Sequence, residues 1–89
     1  MSEPAATEDR DQIFAMVRDH LATELELSPD EITDSTRFRE DLDADSLDLY
    51  ELVMELEDTY GIAMSEEQSA RIETVGAAVD FVFERVGAS

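Results

Sequence analysis

The sequence predicts an all-α protein, a four-helix bundle of three main helices and one short helix with a long first loop. Three observations lead there. Apolar residues recur at helical spacing in separate stretches, capping residues precede those stretches, and nothing alternates with the period of a strand or carries a hairpin dipeptide. Ile13, Val17, Leu21 and Leu25 recur every fourth residue, with Phe14 and Met16 beside them, and place a core-facing helix near residues 9–25. The connection that follows, to about residue 44, is longer than most loops in compact domains and so needs anchors or a helical turn of its own. Ser28-Pro29-Asp30-Glu31 offers a capping serine, proline at the first helical position and a glutamate spaced for a capping box; Leu27, Ile32, Phe38 and Leu42 can pin the segment down. The second main helix should run from about Ser46 to Tyr60, capped by Asp45 and ended by Gly61. Ser65-Glu66-Glu67-Gln68 is another capping box, opening a short helix that stops near Ile72. Thr74 can cap a last helix through about Val86, with Val75, Ala78, Val79, Val82 and Val86 inward; Gly76 is a weak point in it, costing about 1 kcal/mol relative to alanine.

Eighty-nine residues support one core, and 43% hydrophobic residues are enough to offset chain entropy. Residues 1–8 lack periodicity and are expected to be a flexible tail, with residues 9–87 as the single domain. The net charge of -18, from 24 acids against six bases, disfavours nucleic acid and anionic membranes, which need positive side chains to neutralise phosphates. Basic patches on other proteins are the natural counterpart, met in fast, salt-sensitive encounters. The chain has no cysteine, so any thiol it uses must come on a cofactor. No apolar run approaches the roughly 18 residues of a spanning helix, and no leader pattern is evident, so the expectation is a cytoplasmic monomer.

The second helix has two apolar stripes. At about 100° per residue, Leu49, Leu52, Val53, Leu56 and Tyr60 fall on one arc, and Leu47, Tyr50 and Met54 on another. Only one arc can face the core of a small bundle. The second should therefore stay at least partly exposed, bordered by Asp48, Glu51, Glu55, Glu57 and Asp58. From Glu40 to Asp58 there are nine acids and no base, so intrahelical ion pairs do not account for the charge. An apolar strip rimmed by acids suits a docking partner.

Ser46 stands at the start of that helix. It has no base to activate it: the sole histidine, His20, lies on another predicted helix among solubilising residues and reads as surface filler, and the flanks Ala44 and Asp48 lack the glycines of a hydrolase elbow. No catalytic residue is expected, and any activation of Ser46 must come from another protein. Asp41, Asp43 and Asp45 match the first three ligand positions of a calcium loop, but Ser46 stands where its glycine belongs and Leu52 where its bidentate glutamate belongs, so no dedicated metal site is expected.

The run Asp41-Leu42-Asp43-Ala44-Asp45-Ser46-Leu47-Asp48, with Glu51-Leu52-Val53-Met54-Glu55-Leu56-Glu57 behind it and Ile72-Glu73-Thr74-Val75-Gly76 opening the closing helix, resembles the acyl carrier proteins. The resemblance implies that a phosphopantetheinyl transferase attaches 4'-phosphopantetheine from coenzyme A to Ser46, with Asp45 and Leu47 recognised by the transferase. It also implies that Leu47, Asp48, Tyr50, Glu51, Met54, Glu57 and Asp58 meet partners, and that Phe38, Leu56, Met64, Ile72 and Ala78 line an acyl cavity. The implied role is a carrier of thioester-linked acyl chains among fatty acid synthase enzymes with basic docking patches. A polyketide or other specialised pathway is the alternative, and an unmodified acidic protein-binding or divalent-ion-binding module is the alternative of another class. Asp43 departs from the family's usual glycine before Ala-Asp-Ser, and Tyr50 from its usual small aliphatic.

Overall fold

The computed structural model describes residues 10–87, and the tail expected at residues 1–8 lies outside them. Four α-helices are found among the described residues: α1 Arg10–Leu25, α2 Ser46–Tyr60, α3 Glu66–Ala70 and α4 Val75–Gly87, with one 3₁₀ turn at Pro29–Glu31. The predicted fold class is the observed one. The stripe Ile13, Val17 and Leu21 of α1 is buried and meets Leu52 and Leu56 of α2 and Val75, Val79 and Val82 of α4 in one core. α1 lies against both partners. No described helix is long and apolar enough to cross a membrane.

The ends of α1 and α2 are closed by one device with two different residues. Glu26 (φ 58°) and Gly61 (φ 65°) both adopt the left-handed conformation, and the next amide reaches back five residues, Leu27 N to Ala22 O at 2.9 Å and Ile62 N to Glu57 O at 3.2 Å. This satisfies carbonyls that the helix leaves unpaired.

The long loop is anchored by Ile32, Phe38 and Ala44, all buried, and by Thr36, whose Oγ1 accepts a bond from Thr33 N at 2.8 Å. The capping box expected at Ser28 and Glu31 does not form: Ser28 makes no side-chain cap bond. With only one 3₁₀ turn present, Glu31 N and Ile32 N donate to the backbone carbonyls of Ser28 and Pro29, so the Glu31 amide that a box would give to the Ser28 side chain is already used. The box expected at Ser65 and Gln68 is made, and Asp45, expected as a cap, forms a further box with Asp48. Asp45 and Asp48 cap α2 reciprocally, as Ser65 and Gln68 cap α3, and Thr74 Oγ1 accepts from Ala77 N at 3.1 Å. α3 ends at Ala70, short of the expected Ile72, because Arg71 N and Ile72 N close tighter three-residue turns instead.

The loop is sewn to the start of α4. Phe38 N donates to Glu73 O at 3.0 Å, Val75 N to Thr36 O at 2.9 Å and Gly76 N to Asp34 O at 2.8 Å, around an isolated bridge of Arg37 with Thr74. Gly76 is therefore no mere weak point of α4. It is buried, and a Cβ there would stand 2.8 Å from Asp34 O, so glycine permits the close approach. Arg10 fastens the same corner, pairing with Asp34 at 3.0 Å and Asp80 at 2.7 Å.

Candidate functional site

Ser46 is the first residue of α2, and local chemistry fixes it there. Asp45 Oδ1 accepts from Asp48 N at 3.0 Å, and Asp48 Oδ2 accepts from Asp45 N at 3.1 Å, so helix winding starts at Ser46. On the other side, Ala44 is buried and its N–H donates to Phe38 O at 2.9 Å, while Asp43 turns the chain at φ 57°. Cap and anchor together hold the Ser46 side chain exposed at the rim of the bundle. Its Oγ accepts a hydrogen bond from Arg39 Nη2 at 3.1 Å. That partner is a cation, the wrong sign for a general base.

Beside Ser46 opens a cleft of about 290 Å³, between α2, α3 and the start of α4. Phe38, Leu56, Met64, Ile72 and Ala78 all line it, together with Ser46 itself, Arg39, Leu49, Tyr50 and Met54. The structure thus brings the five sequence-selected apolar residues into one place, although they come from the loop, α2, the α2–α3 linker, the α3–α4 linker and α4. Leu47 (62% exposed), Tyr50 (62%) and Met54 (50%) form the uncovered stripe of α2, while Leu52 and Leu56 of the other arc are buried.

The acids around the stripe divide into two groups. Asp58 is exposed, as is Glu55. Asp48, Glu51 and Glu57 are half-buried and turned to the protein itself: Asp48 serves the cap, Glu57 Oε2 accepts from Met64 N at 2.8 Å, and Glu51 meets Glu24 of α1. Carboxylate oxygens of Glu24, Asp48 and Glu51 lie within 4.8 Å of one another. The Glu51 carboxyl is raised above the usual glutamate range, first by a hydrogen bond shared with Glu24, then by the charges of Glu24 and Asp48 and by desolvation, with His20 acting in the opposite direction. His20 is not surface filler: it is half-buried, and its Nε2 is buried without a hydrogen-bond partner among the described residues. The calcium-loop acids do not converge, since Asp41 accepts from Arg37 N at 2.8 Å and Asp45 caps α2.

Sequence reasoning missed Arg39 and the Glu24–Glu51 pair. The pair joins different helices and has no local signal. Arg39 did have one, as the base immediately before the acid-only run from Glu40 to Asp58.

A bundle with one exposed serine at a helix start, beside an apolar cleft, is the design of a carrier domain. Residues 16–82 match the family described as "Phosphopantetheine attachment site". The acyl carrier protein of Rubrobacter xylanophilus is 45% identical over 76 residues, covering 85% of this chain and 94% of that protein. That of Borreliella burgdorferi is 44% identical over 79 residues, covering 89% and 99%. The solved structure of acyl carrier protein from Enterococcus faecalis superposes with a TM-score of 0.76 at 36% identity, covering 86% of this chain and 98% of that one. The chain belongs to the phosphopantetheine attachment family, among its acyl carrier proteins. It is a carrier with a covalently attached 4'-phosphopantetheine, used by partner enzymes, and not an enzyme itself.

Proposed function

We propose that Ser46 is the attachment residue and that the protein carries growing acyl chains for fatty acid biosynthesis in the cytoplasm, as a monomer. The observation that carries this reading is the exposed Ser46 Oγ at the lip of a cleft lined by Phe38, Leu56, Met64, Ile72 and Ala78. These residues fit the group. The hydroxyl is accessible for a phosphodiester, a cation stands beside it, and the apolar lining can shelter an alkyl chain. When bound, the group supplies the thiol that this cysteine-free chain lacks.

Partner docking falls to the Leu47, Tyr50 and Met54 stripe with Glu55 and Asp58 at its rim, a surface suited to basic patches on the transferase and on synthase enzymes. Asp45 and Leu47 flank the serine where the transferase must approach. Asp48, Glu51 and Glu57 act mainly from behind this face, holding the helix start, the seam with α1 and the α2–α3 linker.

Incubation with coenzyme A and a broad-specificity phosphopantetheinyl transferase tests the reading by intact mass. The wild type should gain one arm and Ser46→Ala none. An unmodified wild type, or an equal gain on the variant, rejects it. Acyl chains co-purifying from the native host test the pathway: a series of saturated and 3-hydroxy thioesters supports fatty acid synthesis, and one unusual acid overturns it.

A further inference from the structure

We propose that Arg39 is an anion clamp at the root of the arm, holding the phosphodiester that joins 4'-phosphopantetheine to Ser46. This rests on Ser46 being the attachment residue and goes beyond it, because it assigns a binding role to a loop residue outside the attachment run.

The first argument is how this chain uses its arginines. Arg10 pairs with Asp34 and Asp80, Arg18 with Asp19, Arg37 with Glu40 and Asp41, and Arg71 with Glu67. Arg85 lies over the Phe81 ring, 4.6 Å from its centroid. Arg39 has no carboxylate within ion-pair distance among the described residues, in a protein of net charge -18, and donates instead to the Ser46 hydroxyl at 3.1 Å. A neutral oxygen uses one of the five N–H donors of a guanidinium. A phosphodiester at the same atom would present two non-bridging oxygens that share one negative charge, which the planar fork matches far better.

The second argument is electrostatic need. A helix start ordinarily attracts an anion through its free amides. Here Asp45 takes the Asp48 amide and Asp48 takes the Asp45 amide, which puts two carboxylates at the helix start, and Asp43 adds another charge just upstream. A phosphate on Ser46 is therefore opposed by neighbouring acids, and the cation at hand to offset them is Arg39.

The third is placement. Arg39 lines the cleft that Ser46 opens into and also a neighbouring one of about 340 Å³ bounded by Arg37, Glu40, Leu49, Ile72 and Glu73. It stands on the sill between them. Holding the phosphodiester there fixes the direction in which the arm leaves the serine, and so biases it towards the clefts over free solution.

The test uses full-length wild type, Arg39→Ala and Arg39→Lys, each loaded from coenzyme A, with intact mass showing one arm on each and none on Ser46→Ala. Phosphorus NMR and the Arg39 guanidinium nitrogen resonance are then followed through a chloride titration. Loading should shift the guanidinium signal, and added salt should move the wild-type phosphorus resonance to where Arg39→Ala already sits. At low salt the clamped arm should be favoured over the free arm about two- to fivefold in wild type, the scale of an exposed charge pair, with less preference in Arg39→Lys and none in Arg39→Ala. A fully loaded Arg39→Ala whose phosphorus resonance coincides with wild type at low salt overturns the clamp. Failure of the attachment reading shows earlier and separately, as a missing arm on wild type or an arm on Ser46→Ala.

Discussion

Glu51 holds a proton more tightly in the folded protein than a free glutamate does, chiefly because it shares a hydrogen bond with Glu24 and lies beside its charge. The sign of the consequence follows from linkage. A carboxyl with a raised folded-state value favours the fold while protonated, and that contribution is lost as pH rises from the ordinary glutamate value through the raised one. The groups facing Glu51 from both helices are Glu24 and His20 of α1 and Asp48 of α2, and His20 acts against the shift. Glu51→Gln removes the ionisation. The variant should be more stable than wild type at neutral pH and lose that advantage on acidification, read as the difference between two urea denaturation series. A difference that stays constant with pH would contradict the pairing.

At the scale of elements, α2 was legible at both ends because everything that bounds it is local. Asp45 and Asp48 close the box at one end, and Gly61 takes the left-handed turn at the other. α4 was legible in its inward face and misread at Gly76, where the deciding neighbour is Asp34, far away in sequence. The same reason hid the Glu24–Glu51 contact and the half-buried His20, and left the cleft's lining to be named by the family resemblance alone: periodicity reports a residue's own helix, not what faces it. Ser28 failed differently, since its motif was present but the turn it opened was too short to use it. Gly76 yields a discriminating prediction. Helix propensity alone makes Gly76→Ala stabilising by about 1 kcal/mol. The 2.8 Å approach of the new Cβ to a backbone oxygen makes it destabilising, because Asp34 O is the acceptor for Gly76 N and moving away breaks that bond. Overpacking of this kind costs about 1–3 kcal/mol, so the net effect is a loss, expected as a lower denaturation midpoint with an unchanged slope. A raised midpoint would show that the loop yields freely and does not hold α4.

For the molecule as a whole the net charge is -18, and the described residues, which hold most of it, have a Cα radius of gyration of 12.7 Å. Many like charges therefore lie within the Debye length of about 10 Å at 0.1 M salt, and folding brings them closer than they are in the open chain. Salt also weakens attractions. Arg10 with Asp34 and Asp80, and Arg37 with Glu40 and Asp41, would be screened together with the repulsions. Magnitude decides between the two. Such exposed pairs are worth about 0–1 kcal/mol each, and the six bases leave eighteen of the 24 acids unneutralised. Screening should therefore stabilise the fold, and the melting temperature near neutral pH should rise with chloride concentration. Divalent cations should raise it further at equal ionic strength, because they neutralise acids as well as screening them. Chloride salts are the right probe, since sulfate strengthens apolar burial whatever the charge. A melting temperature that stays flat or falls with chloride would mean that the arginine pairs, and not the unneutralised acids, set the electrostatic balance of the bundle.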